Sequence, residues 1–240
     1  MSGHSHWSSI KHKKGTEDEK RGKIFSKMSR LISLAAKEKG GDPETNAFLR
    51  VAIDKAKFFN MPQSKIENAI KKGTGEIKGG EIENLLLEGF GPGGIAVLIE
   101  AVTDNKNRTL SEVRHTLEKF GGKSANGGVL WMFEKKGIIT LKSSSVQDIE
   151  NLELIAIDSG AQDIKEGGEI IEIYAKQEDV ELVKKALEGN NINIENYCIS
   201  WVPKEEISIL DEKLKKKIEN LFETLDESDD VQGIYSNLKN

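Results

Sequence analysis

The chain of 240 residues contains little cysteine, proline and histidine, and each shortage excludes a class of protein. Its one cysteine, Cys198, cannot form an intrachain disulfide or a CxxC metal pair, which suits a reducing compartment. Four prolines and an apolar content of 37% argue against an extended disordered chain. No apolar run approaches the roughly 20 residues of a membrane span, and the first residues lack the apolar stretch of a secretion signal. We therefore expect a cytoplasmic protein with packed cores and no membrane partner.

Only four histidines are present, and three of them lie within the first twelve residues. The fourth, His115, follows Glu112 at the i, i+3 spacing of a carboxylate–histidine metal pair, but di-iron bundles need two such pairs and further glutamates. Residues 91–94, GPGG, lack the lysine and hydroxyl of a phosphate-binding loop and fit a tight turn better. The carboxylates are too evenly spread to nominate an acid–base pair. The sequence predicts a protein that is not an enzyme, with no cofactor, no resident metal and no small-molecule substrate.

Charge is distributed unevenly along the chain. The net charge is −5, yet residues 1–80 carry 17 basic and 9 acidic side chains, which leaves 18 basic and 31 acidic ones for the remainder. A polyanion responds to the local potential, so a basic head on an acidic body predicts a nucleic-acid partner. The predicted binding residues run from the start of the chain onto one face of a helix: Trp7, Lys11, His12, Lys13, Lys14, Lys20, Arg21, Lys23, Lys27 and Arg30.

The chemistry of these residues suits a phosphate backbone. Lysine and arginine neutralise phosphates and release counterions. Trp7 either stacks on a base or packs into the core of the basic head. If Met1 is removed, the Ser-Gly-His start offers four nitrogens that suit Cu(II) or Ni(II), so an N-terminal chelate stays an alternative.

Hydrophobic periodicity predicts three helices in the basic head. Residues 20–38 place apolar side chains on one stripe and basic side chains on the other side. Asp42 before Pro43 is typical of the start of a second helix. Pro62 predicts the start of a third helix, which ends at Gly73.

The remaining sequence predicts α+β structure. Two strands flank the turn at 91–94, a helix covers about 106–120, and VLWMFE at 129–134 predicts a short strand. From Gly137 the order strand, helix, strand, strand, helix, strand predicts a ferredoxin-like arrangement. The tail after Glu205 predicts an acidic helix with apolar residues at helical spacing, namely Leu210, Leu214, Ile218, Leu221 and Leu225. The predicted fold class is multidomain α and β: an N-terminal three-helix domain and two α+β domains, one of them ferredoxin-like.

Several ungapped sequence blocks follow one another along the chain: GHSHWSSIKHKK, KRGKIFSKMSR, GGDPETN, LRVAIDKAKFFNMP, IENAIKKGTGE, EGFGPGGIAVLIEAVTDNKNRTLSEVRH and GGVLWMFEKKG. Together they resemble the YebC/PmpR family of bacterial transcriptional regulators, which has a mitochondrial relative that activates translation of cytochrome oxidase subunit I. Ala47 and Phe48 depart from the family, which usually has a proline and often a basic residue there.

The resemblance implies three domains. Residues 1–79 would form the basic arm and three-helix domain. Residues 80–135 and 204–240 would form a discontinuous middle α+β domain, into which the ferredoxin-like domain, 136–203, is inserted.

Two functions remain open at this point. The resemblance implies a DNA-binding transcriptional regulator, whereas the mitochondrial relative implies a ribosome-associated factor that binds ribosomal RNA and assists synthesis of difficult nascent sequences. The sequence shows no clear helix with Arg, Asn and Gln placed to read base edges, and folded RNA is recognised by shape and phosphate placement. The expected partner is nucleic acid, either DNA or ribosomal RNA, and in the second case the ribosome.

Overall fold

The computed structural model describes residues 17–78, 80–146 and 148–239, and their side chains from Arg21 onward. These residues form two compact units. The first unit holds the described residues up to Gly127 together with Asp211–Ile234, and the second holds Gly128–Leu210 together with the residues from Tyr235. The predicted mixed α and β fold is confirmed, while the boundaries of the three domains stay a prediction.

Three helices open the first unit: α1 (Glu17–Lys39), α2 (Ala47–Phe58) and α3 (Gln63–Gly73). They enclose one apolar cluster in which Ile32 and Leu49 are fully buried. The predicted three-helix head is therefore confirmed.

The start of α2 differs from the prediction at Asp42. Asn46 is the capping residue, because its side-chain oxygen accepts a hydrogen bond from the Leu49 amide at 3.1 Å. Its side-chain amide also donates to the carbonyl oxygens of Ala35 and Gly40, each at 2.8 Å. Asn46 is fully buried, so one side chain both caps α2 and ties it to the end of α1.

A four-stranded sheet completes the first unit, with the order β3-β1-β2-β8. Strands β1 (Glu83–Phe90) and β2 (Ala96–Thr103) form an antiparallel hairpin about the GPGG turn. The other two strands are β3 (Lys123–Ala125) and β8 (Val231–Ser236), and the latter was not predicted from the sequence.

Helices α4 (Lys106–Lys119) and α7 (Glu212–Asp226) belong to the same unit. Their buried residues include Leu117 of α4 and Leu221 of α7. The prediction that Leu210 lies on the apolar face of the last helix is wrong, since Leu210 precedes α7 and is 88% exposed.

The second unit contains the predicted ferredoxin-like order. It runs β4 (Phe133–Lys142), α5 (Ile149–Asp158), β5 (Ala161–Gly167), β6 (Ile170–Lys176), α6 (Val180–Gly189) and β7 (Asn196–Pro203). The sheet order is β5-β6-β4-β7 and each pairing of neighbours is antiparallel, so β6 lies between the two strands of the first β-α-β segment.

Residues before β4 differ from the sequence prediction. Leu130–Met132 form a short 3-10 turn where a strand was predicted, and β4 begins at Phe133. In the parts of the chain that the structure describes, no helix is long and apolar enough to span a bilayer.

Candidate nucleic-acid interface

The sequence-predicted binding residues divide into two groups. Arg21, Lys23, Lys27 and Arg30 lie on α1, and Lys20 lies on the same helix with only its backbone described. The remaining predicted residues lie outside the described part of the chain, namely Trp7, Lys11, His12, Lys13 and Lys14.

Acidic residues at the end of α7 neutralise part of the basic face of α1. The Lys27 ammonium donates to the Asp226 carboxylate at 2.6 Å and to the Asp226 carbonyl oxygen at 2.8 Å, and only 14% of the Lys27 side chain is exposed. Lys23 lies 3.9 Å from Glu227 and is half exposed. The charge of Lys27 is thus satisfied within this unit, and its role in nucleic-acid binding stays a prediction.

Asp230 forms a second junction between α1 and the sheet. Its side chain is 3% exposed, and one carboxylate oxygen accepts hydrogen bonds from Thr109 at 2.7 Å, Arg108 at 2.9 Å and Thr103 at 3.1 Å. The Arg30 guanidinium lies 2.9 Å from the other oxygen. Burial raises the pKa of Asp230, but the hydrogen bonds from Thr109 and Arg108 and the charge of Arg30 outweigh it, so this pKa lies below its ordinary value.

A groove of about 560 Å³ lies between α1, α3 and the segment that leads into β1. From α1 it receives Gly22, Ser26, Ser29 and Ser33, which recur at helical spacing and have small side chains. Small residues on α1 leave the space in which the groove forms, and the partly exposed Ser26 and Ser29 line it with hydroxyl groups.

Helix α3 supplies the charged side of this groove. Lys65, Asn68 and Lys72 are spaced i, i+3 and i+7, so they lie on one face of α3, and all three are exposed. The Lys65 ammonium lies 5.0 Å from the centroid of the Phe25 ring, which contributes an apolar wall. Arg30 and Asp104 also line the groove, and the Asp104 carboxylate is paired with Arg108 at 3.0 Å.

Close packing between α1 and α3 fixes the shape of the groove. The buried Ser33 hydroxyl donates to the carbonyl oxygen of Ala69 at 2.6 Å. A Cβ atom at Gly73 would overlap the carbonyl oxygen of Ser33, so only glycine allows the end of α3 to approach α1 this closely. The groove is therefore built by direct contacts between the helices that line it.

The chemistry of the groove matches a phosphodiester strand. Ammonium groups neutralise phosphates, hydroxyl groups donate to phosphate oxygens, and an amide can donate to or accept from a base edge or a ribose hydroxyl. Among the described residues no group of three or more His, Cys, Asp or Glu side chains is arranged for a metal ion. Glu112, considered above with His115, lies 4.0 Å from Arg108 in an i, i+4 pair.

Sequence reasoning missed Lys65, Asn68 and Lys72 as a site. Their i, i+3, i+7 spacing was visible and could have identified one polar face of α3. Which face of α1 lies opposite could not be read from the sequence, because it depends on packing between the helices.

Comparison with known proteins finds two family matches along the chain. A family described as "TACO1/YebC protein N-terminal domain" matches residues 5–76, and one described as "TACO1/YebC second and third domain" matches residues 82–238. A protein of Natranaerobius thermophilus named "Probable transcriptional regulatory protein" is 48% identical over 240 residues, covering 99% of this chain and 96% of its own length. A protein of the same name from Maridesulfovibrio salexigens is 48% identical over 238 residues, covering 99% and 95%.

A solved structure is also similar to this chain. It is the crystal structure of a conserved hypothetical protein from Aquifex aeolicus, with a TM-score of 0.80 and 45% sequence identity. The match covers 98% of this chain and 97% of that one. Similarity in sequence and in fold therefore extends over nearly the whole chain.

Proposed function

Because the chain belongs to the TACO1/YebC family, we propose that it is a nucleic-acid-binding regulator of gene expression and that its nucleic acid is RNA, bound during translation. The observation that carries this proposal is the basic groove between α1 and α3. Proteins that bind single strands track the backbone in a positively charged groove. Readers of duplex DNA instead insert a convex helix or ribbon into the major groove.

The ion pairs of basic residues on α1 also favour RNA over duplex DNA as the partner. Lys27 and Arg30 would belong to a broad footprint on duplex DNA, but both lie against carboxylates of the same unit. Lys65 and Lys72 line the groove instead, and neither has a carboxylate partner among the ion pairs that the described residues of this unit form. A groove lined by cations is the arrangement that follows the backbone of a single strand.

A second candidate function is that of a DNA-binding transcriptional regulator. The names of the relatives favour it, and so does the exposed face of α3, which carries Gln63, Ser64 and Asn68 beside its lysines. Side chains of these types can contact base edges in a major groove. The two candidates differ in the nucleic acid that the protein contacts in cells.

Crosslinking in cells separates the two candidates. The protein is crosslinked to nucleic acid, purified under denaturing conditions, and the recovered DNA and RNA are sequenced. We expect ribosomal or messenger RNA to dominate. Discrete promoter fragments without enriched RNA would overturn the RNA proposal and support the transcriptional one.

A paired variant tests the groove itself. Lys65→Ala with Lys72→Ala removes two ammonium groups, so binding to RNA should weaken and the slope of log affinity against log salt should become shallower by about 0.7 for each lost phosphate contact. Lys185→Ala with Lys216→Ala is the matched control, since both lysines are exposed and lie on other helices. If both double variants lose the same RNA affinity, binding depends on the overall charge of the protein and the groove is not the binding site.

A further inference from the structure

Helix α2 has apolar side chains on two faces, and only one of them packs into the core. Leu49, Ile53 and Ala56 are buried. On the outer side Phe48, Val51 and Phe58 are 62%, 66% and 79% exposed. At 3.6 residues per turn these three positions fall within an arc of about 80°, so they form one stripe, here called the α2 stripe. Aromatic side chains this large are usually buried, so their exposure requires an explanation.

The two rings of the α2 stripe are held by neighbouring side chains. Phe58 meets Phe59 edge to face, with centroids 5.3 Å apart and planes at 83°, and Phe59 packs against the core of the bundle. The Lys39 ammonium lies 4.7 Å from the centroid of the Phe48 ring. Both rings are therefore positioned before any partner binds.

The charge around the stripe indicates an anionic partner. Lys55 falls within the arc of the stripe, and the Lys39 ammonium lies beside Phe48, whereas Arg50 and Lys57 fall on another side of α2. Asp54, the one carboxylate within α2, falls about 40° beyond Phe58, so the two lysines exceed it by one charge. Exposed rings with surrounding cations are the combination that binds single strands, because bases stack on the rings while the cations contact phosphates. An apolar protein segment would gain from the rings but not from the excess of positive charge.

The length of the stripe also suits a strand. Phe48 and Phe58 are ten residues apart, which is about 15 Å along the helix axis. Stacked bases are spaced by about 3.4 Å, so the stripe spans about four of them.

We propose that the α2 stripe is a stacking surface for unpaired bases of RNA, which rests on the proposed function and adds a second contact surface to the groove. Unpaired loops and bulges expose their base faces, whereas the bases of a duplex are stacked on each other. Phe48 and Phe58 would each stack on one base, while Lys39 and Lys55 contact the flanking phosphates.

Replacing Phe48 and Phe58 by leucine separates the contribution of aromatic stacking from that of an apolar surface, because leucine keeps the apolar character and removes the ring. A 12-nucleotide RNA without self-complementarity is titrated with the native protein and with Phe48→Leu/Phe58→Leu, and fluorescence anisotropy gives the affinities. We expect the double variant to bind roughly fivefold more weakly or worse, because aromatic stacking is lost while charge is kept. The salt slope should stay unchanged, since no phosphate contact is removed. Leu154→Ala/Leu182→Ala is the matched control, because these leucines are exposed to a similar degree on α5 and α6.

A tryptophan pair gives a second, direct readout. Phe48→Trp/Phe58→Trp should keep the affinity for this RNA, and the added tryptophan fluorescence should be quenched when bases stack on it. A DNA strand of the same sequence and a 12-base-pair duplex should bind no more tightly than the RNA. Unchanged affinity of the leucine pair, absence of quenching, or preference for either DNA probe would overturn the proposal.

Three further outcomes can be distinguished. A dimer of the native protein that the leucine pair abolishes would mean that a second copy covers the stripe, which overturns the RNA assignment. If the native protein binds none of the probes, the proposed function fails as well. If binding depends on Lys65 and Lys72 but not on the rings, only the stacking surface fails.

Discussion

Replacing Asp230 by asparagine should strongly destabilise the first unit, because the carboxylate of Asp230 connects three parts of it. One carboxylate oxygen accepts from Thr103, Thr109 and Arg108, and the other lies beside Arg30. Asparagine has nearly the same shape and keeps one acceptor oxygen. Its amide group, however, presents hydrogens to donors and leaves the Arg30 guanidinium without its countercharge, while Arg108 keeps the Asp104 carboxylate at 3.0 Å.

The expected decrease in the free energy of unfolding for Asp230→Asn follows from the burial of this carboxylate and from the charge that the substitution removes. Breaking a buried ion pair by removing one partner costs about 3–5 kcal/mol. The retained acceptor oxygen puts the expected loss at the lower end, about 3 kcal/mol. With a denaturant slope of about 2 kcal/mol per molar urea, the unfolding midpoint should fall by about 1.5 M.

Urea unfolding followed by circular dichroism measures this loss. Hydrogen exchange should locate the added opening in α1, β2, α4 and β8, the elements that carry the residues around Asp230 or directly follow them. Asp229→Asn is the control, because it removes the same charge one residue away from these hydrogen bonds. A midpoint shift no larger than that of Asp229→Asn would refute the reasoning that Asp230 joins these elements.

Three further predictions concern the ionisation of Asp230 and close packing at two glycines, one in each unit. Because folding lowers the pKa of Asp230, its stabilising contribution is present above the ordinary value of about 4 and is lost as the pH falls below it, so the urea midpoint of the native protein should drop more from pH 7 to pH 3 than that of Asp230→Asn. Gly73→Ala should cost roughly 1–3 kcal/mol in urea unfolding, since its Cβ would overlap the Ser33 carbonyl oxygen. Gly137→Ala, whose Cβ would overlap Val180, should accelerate hydrogen exchange in β4 and α6 while α1–α3 stay protected.

The helices and strands that were predicted correctly are those specified by residues close to one another in the sequence. Apolar positions at helical spacing identified α1 to α3, and the succession of elements after Gly137 identified the ferredoxin-like order. Signals that depend on distant residues were misread. Asp42 with Pro43 is a typical helix start, yet Asn46 caps α2 because its amide also bonds to the end of α1. The 3-10 turn at Leu130–Met132 has the composition of a strand.

The candidate site was predictable only in part. A basic head and the lysines of α1 were visible in the charge pattern. The acidic partners of Lys27 and Arg30 could not be identified from the sequence, because Asp226 and Asp230 follow about 200 residues later in the chain. Strand β8 is short and directly follows the long helix α7, so the segment that brings Asp230 to the sheet had no separate signal.

Mapping RNA adducts on the protein tests whether the groove between α1 and α3 binds RNA in cells. After ultraviolet crosslinking in cells and nuclease digestion, mass spectrometry identifies the peptides that carry a nucleotide. We expect adducts in the α1 and α3 segments that line the groove, within residues 22–33 and 65–72. Adducts confined to residues 128–210, or a protein that carries no nucleotide at all, would contradict it.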